Sequence, residues 1–102
     1  MKIKKDSILY ARMDYRVVGK DLTDKDFQDH LSYVNSIAKE RYLLGGGFSN
    51  TDGGMILFEA KNFDDAQSIA DNDPIIKRGI YRCEIFVWEL KVLSEGSSTY
   101  KI

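Results

Sequence analysis

Residues 71–79 read DNDPIIKRG and hold the only proline of the chain. Aspartate before proline is a favoured helix start, because the carboxylate accepts a hydrogen bond from a free backbone N–H and proline needs no partner in the first turn. Gly79 allows the turn that ends such a short helix. Asp73 is thus explained as a cap worth about 1 kcal/mol, which leaves open whether it also performs chemistry.

The stretch follows a segment with the spacing of an amphipathic helix. Asn62 and Asp65 form the predicted cap of this helix, and Asp71 and Asn72 end it. Its predicted inward side contains Phe63, Ala66, Ile69 and Ala70.

The stretch precedes a predicted strand from Ile80 to Leu90. The strand alternates Tyr81, Cys83, Ile85 and Val87 on one face with Arg82, Glu84, Phe86, Trp88 and Leu90 on the other. Because its second half is apolar on both faces, we expect the face away from the helices to meet something other than water. A second copy packed sheet to sheet about a two-fold axis meets that need, so the sequence predicts a homodimer.

The N-terminal half supplies the remaining elements. Ser7 to Val18 form a predicted strand whose core face is Leu9, Ala11, Met13, Tyr15 and Val17. Thr23 caps a helix predicted to end near Tyr42, and the apolar runs 43–48 and 55–58 form a hairpin with NTDGG as its turn. The order β-α-β-β-α-β predicts an α+β, ferredoxin-like fold, an antiparallel sheet with two helices on one face.

Composition limits the classes of function. The 102 residues predict one domain, ending in a polar tail over residues 91–102, and a net charge of −1 gives no support for nucleic-acid binding. The first residues lack the long apolar run of a signal peptide or membrane span, so we expect a cytoplasmic protein that binds no membrane. With one cysteine and one histidine, neither a metal site nor another cofactor is predicted.

The histidine, His30, lies on the same helical stripe as Phe27, Leu31 and Val34, so its imidazole is expected at the seam between helix and sheet. Two interpretations remain open from the residues alone. A structural histidine bonded to a backbone carbonyl or water is the more common case, and an acid–base group is the other.

Other features favour structural explanations. The run Gly45-Gly46-Gly47 lacks the Lys-Ser/Thr ending of a phosphate-binding loop and precedes a strand, so we interpret it as a bend or bulge. Cys83 is interpreted as a small hydrophobic residue. The strand aromatics lack clustered basic residues, which favours core or dimer packing over RNA stacking.

Several motifs together resemble the YCII-related (YciI-like) family, from about Leu9 to Leu90. They are HLSYV in the first helix, GG at the next strand, MILFEAKNFDDAQSIADNDP and GIYRCEIFVWEL. The resemblance implies a dimeric α+β barrel with a His-Asp pair in a cleft between helix and sheet. The family's histidine corresponds to His30 and its aspartate before proline to Asp73, so Asp73 is expected both to cap a helix and to orient the imidazole.

The chain departs from the family pattern at the pocket. Relatives often carry arginine where this chain has Phe27, and their helix-ending glycine and Gly-Pro correspond here to Arg41 and Gly47-Phe48. Loss of the basic residue argues against an anionic substrate, and Phe27 with Phe48 predicts a more apolar pocket.

The favoured hypothesis is an enzyme for a small organic molecule. His30 acts as general acid or base and Asp73 orients it, and by analogy with enzymatic relatives and the similar muconolactone isomerases the reaction is proton abstraction with elimination or isomerisation. Substrate contacts are predicted from Tyr10, Tyr33, Phe48 and Tyr81. The alternative is a non-catalytic homodimer that binds a small ligand or a partner in the same cleft. A third class, the heme-degrading or quinol monooxygenases of the same superfamily, uses a similar cleft without the DNDP segment.

Overall fold

The computed structural model describes residues 3–94. Four strands form one antiparallel sheet in the order β2-β3-β1-β4. The strands are β1 (Ile8–Arg16), β2 (Leu43–Gly47), β3 (Gly54–Phe58) and β4 (Tyr81–Glu89), and the helices are α1 (Asp24–Ala38), α2 (Phe63–Asp71) and α3 (Pro74–Lys77). This order confirms the predicted ferredoxin-like α+β fold, with the short helix after Asp73 as its third helical element.

The helix caps occur where the sequence predicts them. The Thr23 side chain accepts from the Asp26 N–H and the Asp26 carboxylate accepts from the Thr23 N–H, which forms a complete capping box. Asn62 caps α2 and Asp73 caps α3. Local side-chain chemistry therefore defines each helix start.

The predicted end of the first helix was wrong. The helix ends at Ala38, four residues before Tyr42. The Tyr42 N–H donates to the Glu59 carboxylate and the Tyr42 carbonyl accepts from the Glu59 N–H. Because these bonds connect Tyr42 to the end of β3, the chain leaves the helix early to begin the sheet edge.

The predicted core face of β1 was also wrong. Tyr10, Arg12 and Asp14 lie beneath the helices, while Ala11, Met13 and Tyr15 lie on the opposite face and are half-buried. Leu9 on that opposite face is buried as well. Strand alternation separates two faces but does not say which one the helices cover.

The main core lies under α2. Tyr10, Ile56, Phe58 and Ala66 are its buried members, and Val34, Leu43, Ala60, Ile69 and Ile85 pack against them. By contrast, α1 contains no fully buried residue. The glycines of β2 lack side chains that would fill the space beneath α1, so this helix stands away from the sheet edge.

No helix within residues 3–94 has the length and hydrophobicity needed to cross a bilayer. Residues 91–94 have no regular secondary structure. The rest of the predicted polar tail, residues 95–102, lies outside the described residues.

Candidate active site

Four charged or titratable side chains meet between the sheet and the helices. Arg12 and Asp14 come from the helix-facing side of β1, His30 from the middle of α1, and Asp73 from the start of α3. Arg12, Asp14 and Asp73 are buried, and the side chain of His30 is 13% exposed. We call these four residues the charge cluster.

Arg12 joins the two carboxylates of the charge cluster. Its Nε donates to Asp14 Oδ1 at 2.7 Å and its Nη2 to Asp14 Oδ2 at 3.1 Å. Its Nη1 donates to Asp73 Oδ2 at 3.0 Å. Since a planar guanidinium offers donors in a fixed fork, Arg12 sets the relative position of both carboxylates.

Asp73 also contacts His30 directly. The Nδ1 of His30 lies 2.7 Å from Asp73 Oδ2 and 3.0 Å from Oδ1. Oδ1 accepts in addition from the Ile75 N–H at 3.1 Å, which is the cap of α3. Asp73 thus caps a helix and bonds an imidazole at the same time. Within residues 3–94, Nε2 of His30 has no hydrogen-bond partner.

The charge cluster contains one guanidinium and two carboxylates, so its formal charge is −1 unless the imidazole is protonated. Burial alone would raise the pKa of Asp73, but the hydrogen bond from His30 and the charge of Arg12 outweigh it and lower this pKa. For Asp14, burial outweighs the guanidinium and raises the pKa. The two carboxylates therefore differ in proton affinity.

His30 and Asp14 line a small pocket of about 60 Å³. The other lining residues are Leu22, Phe27, Gly53, Gly54, Ile75 and Tyr81. This volume is well below the roughly 300–1,000 Å³ of typical ligand pockets and is too small for a whole organic substrate. The pocket can therefore receive only the reacting part of one.

A larger groove of about 400 Å³ lies between α1 and the edge strand β2. Phe27, Leu31 and Val34 contribute from α1, and Gly45, Gly47 and Ile56 from the sheet. Phe27 borders both the small pocket and this groove. Phe27 is therefore the side chain that the two linings share.

The residues predicted to contact substrate lie at different places. Tyr81 lines the small pocket, and Phe48 follows β2 with 42% of its surface exposed and bonds its N–H to the Gly53 carbonyl. Tyr10 lies in the core against Phe58 and Phe63. Tyr33 donates its hydroxyl to the Ile69 carbonyl at 2.7 Å. Only Tyr81 shares the pocket with His30, and the catalytic and binding roles of these residues stay predictions.

Arg12 and Asp14 were missed by the sequence analysis. Charged residues in an alternating strand normally face water, so the pattern favoured exposure for both. The available signal was their spacing of two residues in the central part of a strand, which places opposite charges side by side on one face.

No group of three or more His, Cys, Asp or Glu side chains in residues 3–94 is arranged to hold a metal ion. Cys83 is a free, half-buried thiol, and burial raises its pKa. A raised thiol pKa reduces the thiolate fraction and hence the nucleophilicity of this side chain.

Comparison with known proteins agrees with this architecture. The family model described as YCII-related domain matches residues 8–89. The 5-chloro-2-hydroxyhydroquinone dehydrochlorinase from Burkholderia phenoliruptrix, solved in complex with 2,5-dihydroxybenzoquinone, is similar with a TM-score of 0.64 and 19% identity, covering 78% of this chain and 92% of that one. At this identity the similarity shows the fold alone. No curated protein is significantly similar in sequence.

Proposed function

Because the chain belongs to the YCII-related family, we propose that it is a small-molecule enzyme in which His30 transfers a proton and Asp73 orients the imidazole. The observation that carries this proposal is the 2.7 Å contact between His30 Nδ1 and Asp73 Oδ2 at the wall of a pocket. A core histidine satisfied by a carbonyl would need neither the buried carboxylate nor the pocket.

The geometry supports a division of labour between the two ring nitrogens. A proton on Nδ1 is held by Asp73, which leaves Nε2 with its lone pair as the base. When Nε2 accepts a proton, the Asp73 carboxylate stabilises the imidazolium that forms. Arg12 in turn holds Asp73 at its other side, so the base has a fixed orientation.

We propose elimination as the reaction class. The protein of similar fold is a dehydrochlorinase. Loss of HCl requires that a base remove a proton from one atom of the substrate and that chloride leave a second atom with the pair of bonding electrons. A single base beside a mostly apolar pocket suits such a reaction, since the proton returns to solvent and no other reactant is consumed. Isomerisation would need the proton to be delivered again within the same pocket.

Chloride release tests this function. The purified chain is incubated with 5-chloro-2-hydroxyhydroquinone and related chlorinated hydroquinones, and chloride is measured against time and against an enzyme-free control. His30→Gln should lower the enzymatic rate by about 10²- to 10⁴-fold, the usual worth of general acid–base catalysis. Lys25→Gln is the control, because this exposed lysine forms an ion pair with Asp29 alone among residues 3–94 and lines neither the pocket nor the groove.

Equal rates for His30→Gln and the unaltered chain would contradict the role of His30. Absence of chloride release from all these compounds would contradict dehydrochlorination. A ligand that binds and is recovered unchanged would instead support the non-catalytic binding function.

We also propose that the functional form is a homodimer. The sheet face away from the helices carries Leu44, Met55, Phe86 and Trp88, each between 37% and 50% exposed. We call these residues the open sheet face. Such a face is unfavourable in water and favourable against a second copy. A cytoplasmic location stays a prediction.

A further inference from the structure

The groove between α1 and β2 is bordered by glycines, which have no side chains to fill it. Gly45 and Gly47 lie on the helix-facing side of β2, as their pairing with Ile56 and Gly54 shows. A Cβ at Gly47 would meet only the Gly53 carbonyl, at 3.7 Å, so the space above this residue is open. The opposite wall is an apolar stripe of α1 that includes Leu31 and Val34.

The groove leads to the small pocket beside His30. Phe27 borders both spaces, and its ring centroid lies 6.1 Å from that of His30. On the sheet, Gly47 of the groove is the ladder partner of Gly54 of the pocket. The groove and the pocket are therefore neighbours along α1 and the β2–β3 ladder.

Among residues 3–94, no lysine or arginine lines either space. The nearest buried cation, Arg12, is 2% exposed and donates to Asp14 and Asp73 through all three nitrogens. Asp14 itself contributes a carboxylate to the pocket wall. An anion entering here would lose hydration without gaining a counter-ion and would face a like charge.

We propose that the groove binds the body of an uncharged, largely apolar ring compound, with one hydroxyl of the ring entering the pocket beside His30. This proposal depends on the proposed function in one respect only, namely which end of the ligand reacts. The flat glycine surface of β2 accepts a planar ring, and Phe27 offers a stacking partner at the junction. Carboxylate- or phosphate-bearing compounds of equal size bind more weakly because of their charge.

Binding of 1-naphthol and 1-naphthoate tests this inference, because the two have similar ring bodies and differ in charge at neutral pH. Each is titrated into the ¹⁵N-labelled full chain and followed by two-dimensional NMR, where the Gly45 and Gly47 amides report the groove and the His30 ring protons report the pocket. We expect 1-naphthol to bind at least about tenfold more tightly, a difference of about 1.4 kcal/mol, and to shift all these signals.

Two variants locate the ligand. Gly47→Val places a side chain in the groove and should weaken 1-naphthol binding at least about tenfold. Gly46→Val makes the same change one residue earlier. Gly46 borders the groove with its backbone, but a Cβ there points to the other face of the sheet and meets no atom within 4 Å, so this variant should bind normally.

Equal or tighter binding of 1-naphthoate overturns the charge assignment. Failure of 1-naphthol to bind, signal changes confined to residues outside the groove, or normal binding by a folded Gly47→Val overturns the groove assignment. These measurements need no turnover. A positive result therefore stands even if no chloride is released, and a negative result leaves the His30 rate experiment unaffected.

Discussion

Asp73 makes three contacts at once through its carboxylate. It caps α3 through the Ile75 N–H, accepts a hydrogen bond from Arg12, and bonds His30 Nδ1, all while fully buried. A buried charge is tolerated only when its oxygens are paired, so these contacts depend on one another. The cap that the sequence indicates and the orienting group that the resemblance implies are therefore one physical arrangement.

Asp73→Asn should destabilise the protein by about 3–5 kcal/mol at pH 7, because it removes the partner of a buried guanidinium and imidazole. The folded-state pKa of Asp73 is lowered. Its stabilising contribution is therefore complete above the unfolded pKa of about 3.9 and is lost as the pH falls through the folded pKa. Urea unfolding at pH 7 and pH 3 should show a large difference from wild type at pH 7 and a smaller one at pH 3.

Asp71→Asn is the matched control, since the carboxylate of this exposed aspartate accepts a hydrogen bond from Gln67 alone among residues 3–94. This change should alter the free energy of unfolding by less than about 0.5 kcal/mol. If Asp73→Asn lowered the free energy of unfolding no more than Asp71→Asn, residues 71–74 would serve only to end one helix and begin the next.

Arg12→Met should cost about 3–5 kcal/mol at pH 7, since it leaves Asp14 and Asp73 buried without their guanidinium. The pKa of Asp14, already raised by burial, should rise further in the variant. Unlike Asp73→Asn, this variant should approach wild-type stability already at pH 4.5, because the uncompensated carboxylates take up protons there. Urea midpoints at pH 7 and pH 4.5 measure the effect.

Arg16→Met serves as its control, because Arg16 lies on the same face of β1 but near the surface, beside Tyr81 and Asp52. Its loss should be much smaller and nearly independent of pH. An equal deficit of Arg12→Met at both pH values would argue against the uncompensated carboxylates as the cause.

Only two of the four residues of the charge cluster could be predicted from the sequence. The motif resemblance implied His30 and Asp73 as a pair, whereas the residues alone favoured a structural histidine. Arg12 and Asp14 were not predicted, because a pattern of polar and apolar residues places every charged side chain in water. It does not show that two opposite charges 2.7 Å apart form an ion pair and can be buried together. A contact across 61 positions, as between Arg12 and Asp73, leaves no local signal.

At the scale of elements, polar bonds attach α1 to the rest of the fold in both of its halves. Arg78, just after α3, donates to Asp26 and Asp29 at 2.9 and 2.8 Å, and His30 bonds Asp73. The C-terminal half of α1 donates the Tyr33 hydroxyl to the Ile69 carbonyl and packs Val34 against the core, and the same half also borders the groove. The N-caps that start the helices can be predicted from sequence. The early end of α1 cannot, because it depends on bonds to Glu59 at the far end of the hairpin.

The hairpin β2–β3 provides an element-scale prediction. A Cβ at Gly54 would lie 2.6 Å from the Gly46 carbonyl oxygen, a backbone atom of the paired strand that cannot move aside cheaply. Gly54→Ala should therefore destabilise the protein by about 1–3 kcal/mol, the usual cost of overpacking. Thermal unfolding measures it.

The matched variant is Gly46→Ala, because a Cβ there meets no atom within 4 Å. It should be neutral or slightly stabilising, since it only restricts the unfolded chain. Equal melting temperatures for the two variants would contradict the close approach of the strands at Gly54.

At the scale of the whole molecule, the wrong core face of β1 has a physical explanation. Leu9, Ala11, Met13 and Tyr15 form an apolar set on the side away from the helices, on the same face as Phe86 and Trp88 of β4. When both faces of a strand are apolar, the alternation of polar and apolar residues does not show which face the helices cover. The sequence therefore predicts that both faces need cover, while topology decides which face receives the helices.

The open sheet face yields the last prediction. If a second copy covers it, the chain should sediment at twice its 11.7 kDa. Phe86→Glu and Trp88→Glu should each produce monomers, because a carboxylate would be buried without a partner at the interface. Val18→Glu is the control, since Val18 is 97% exposed just after β1 and should leave the dimer intact.

Analytical ultracentrifugation over a micromolar concentration range measures these masses. A wild-type monomer throughout that range would contradict the homodimer. Dissociation by Val18→Glu together with intact dimers of both β4 variants would place the interface elsewhere. Because His30 lies on the helical side of the sheet, the β4 variants should keep the contact between His30 and Asp73, so dimerisation and the charge cluster can be tested separately.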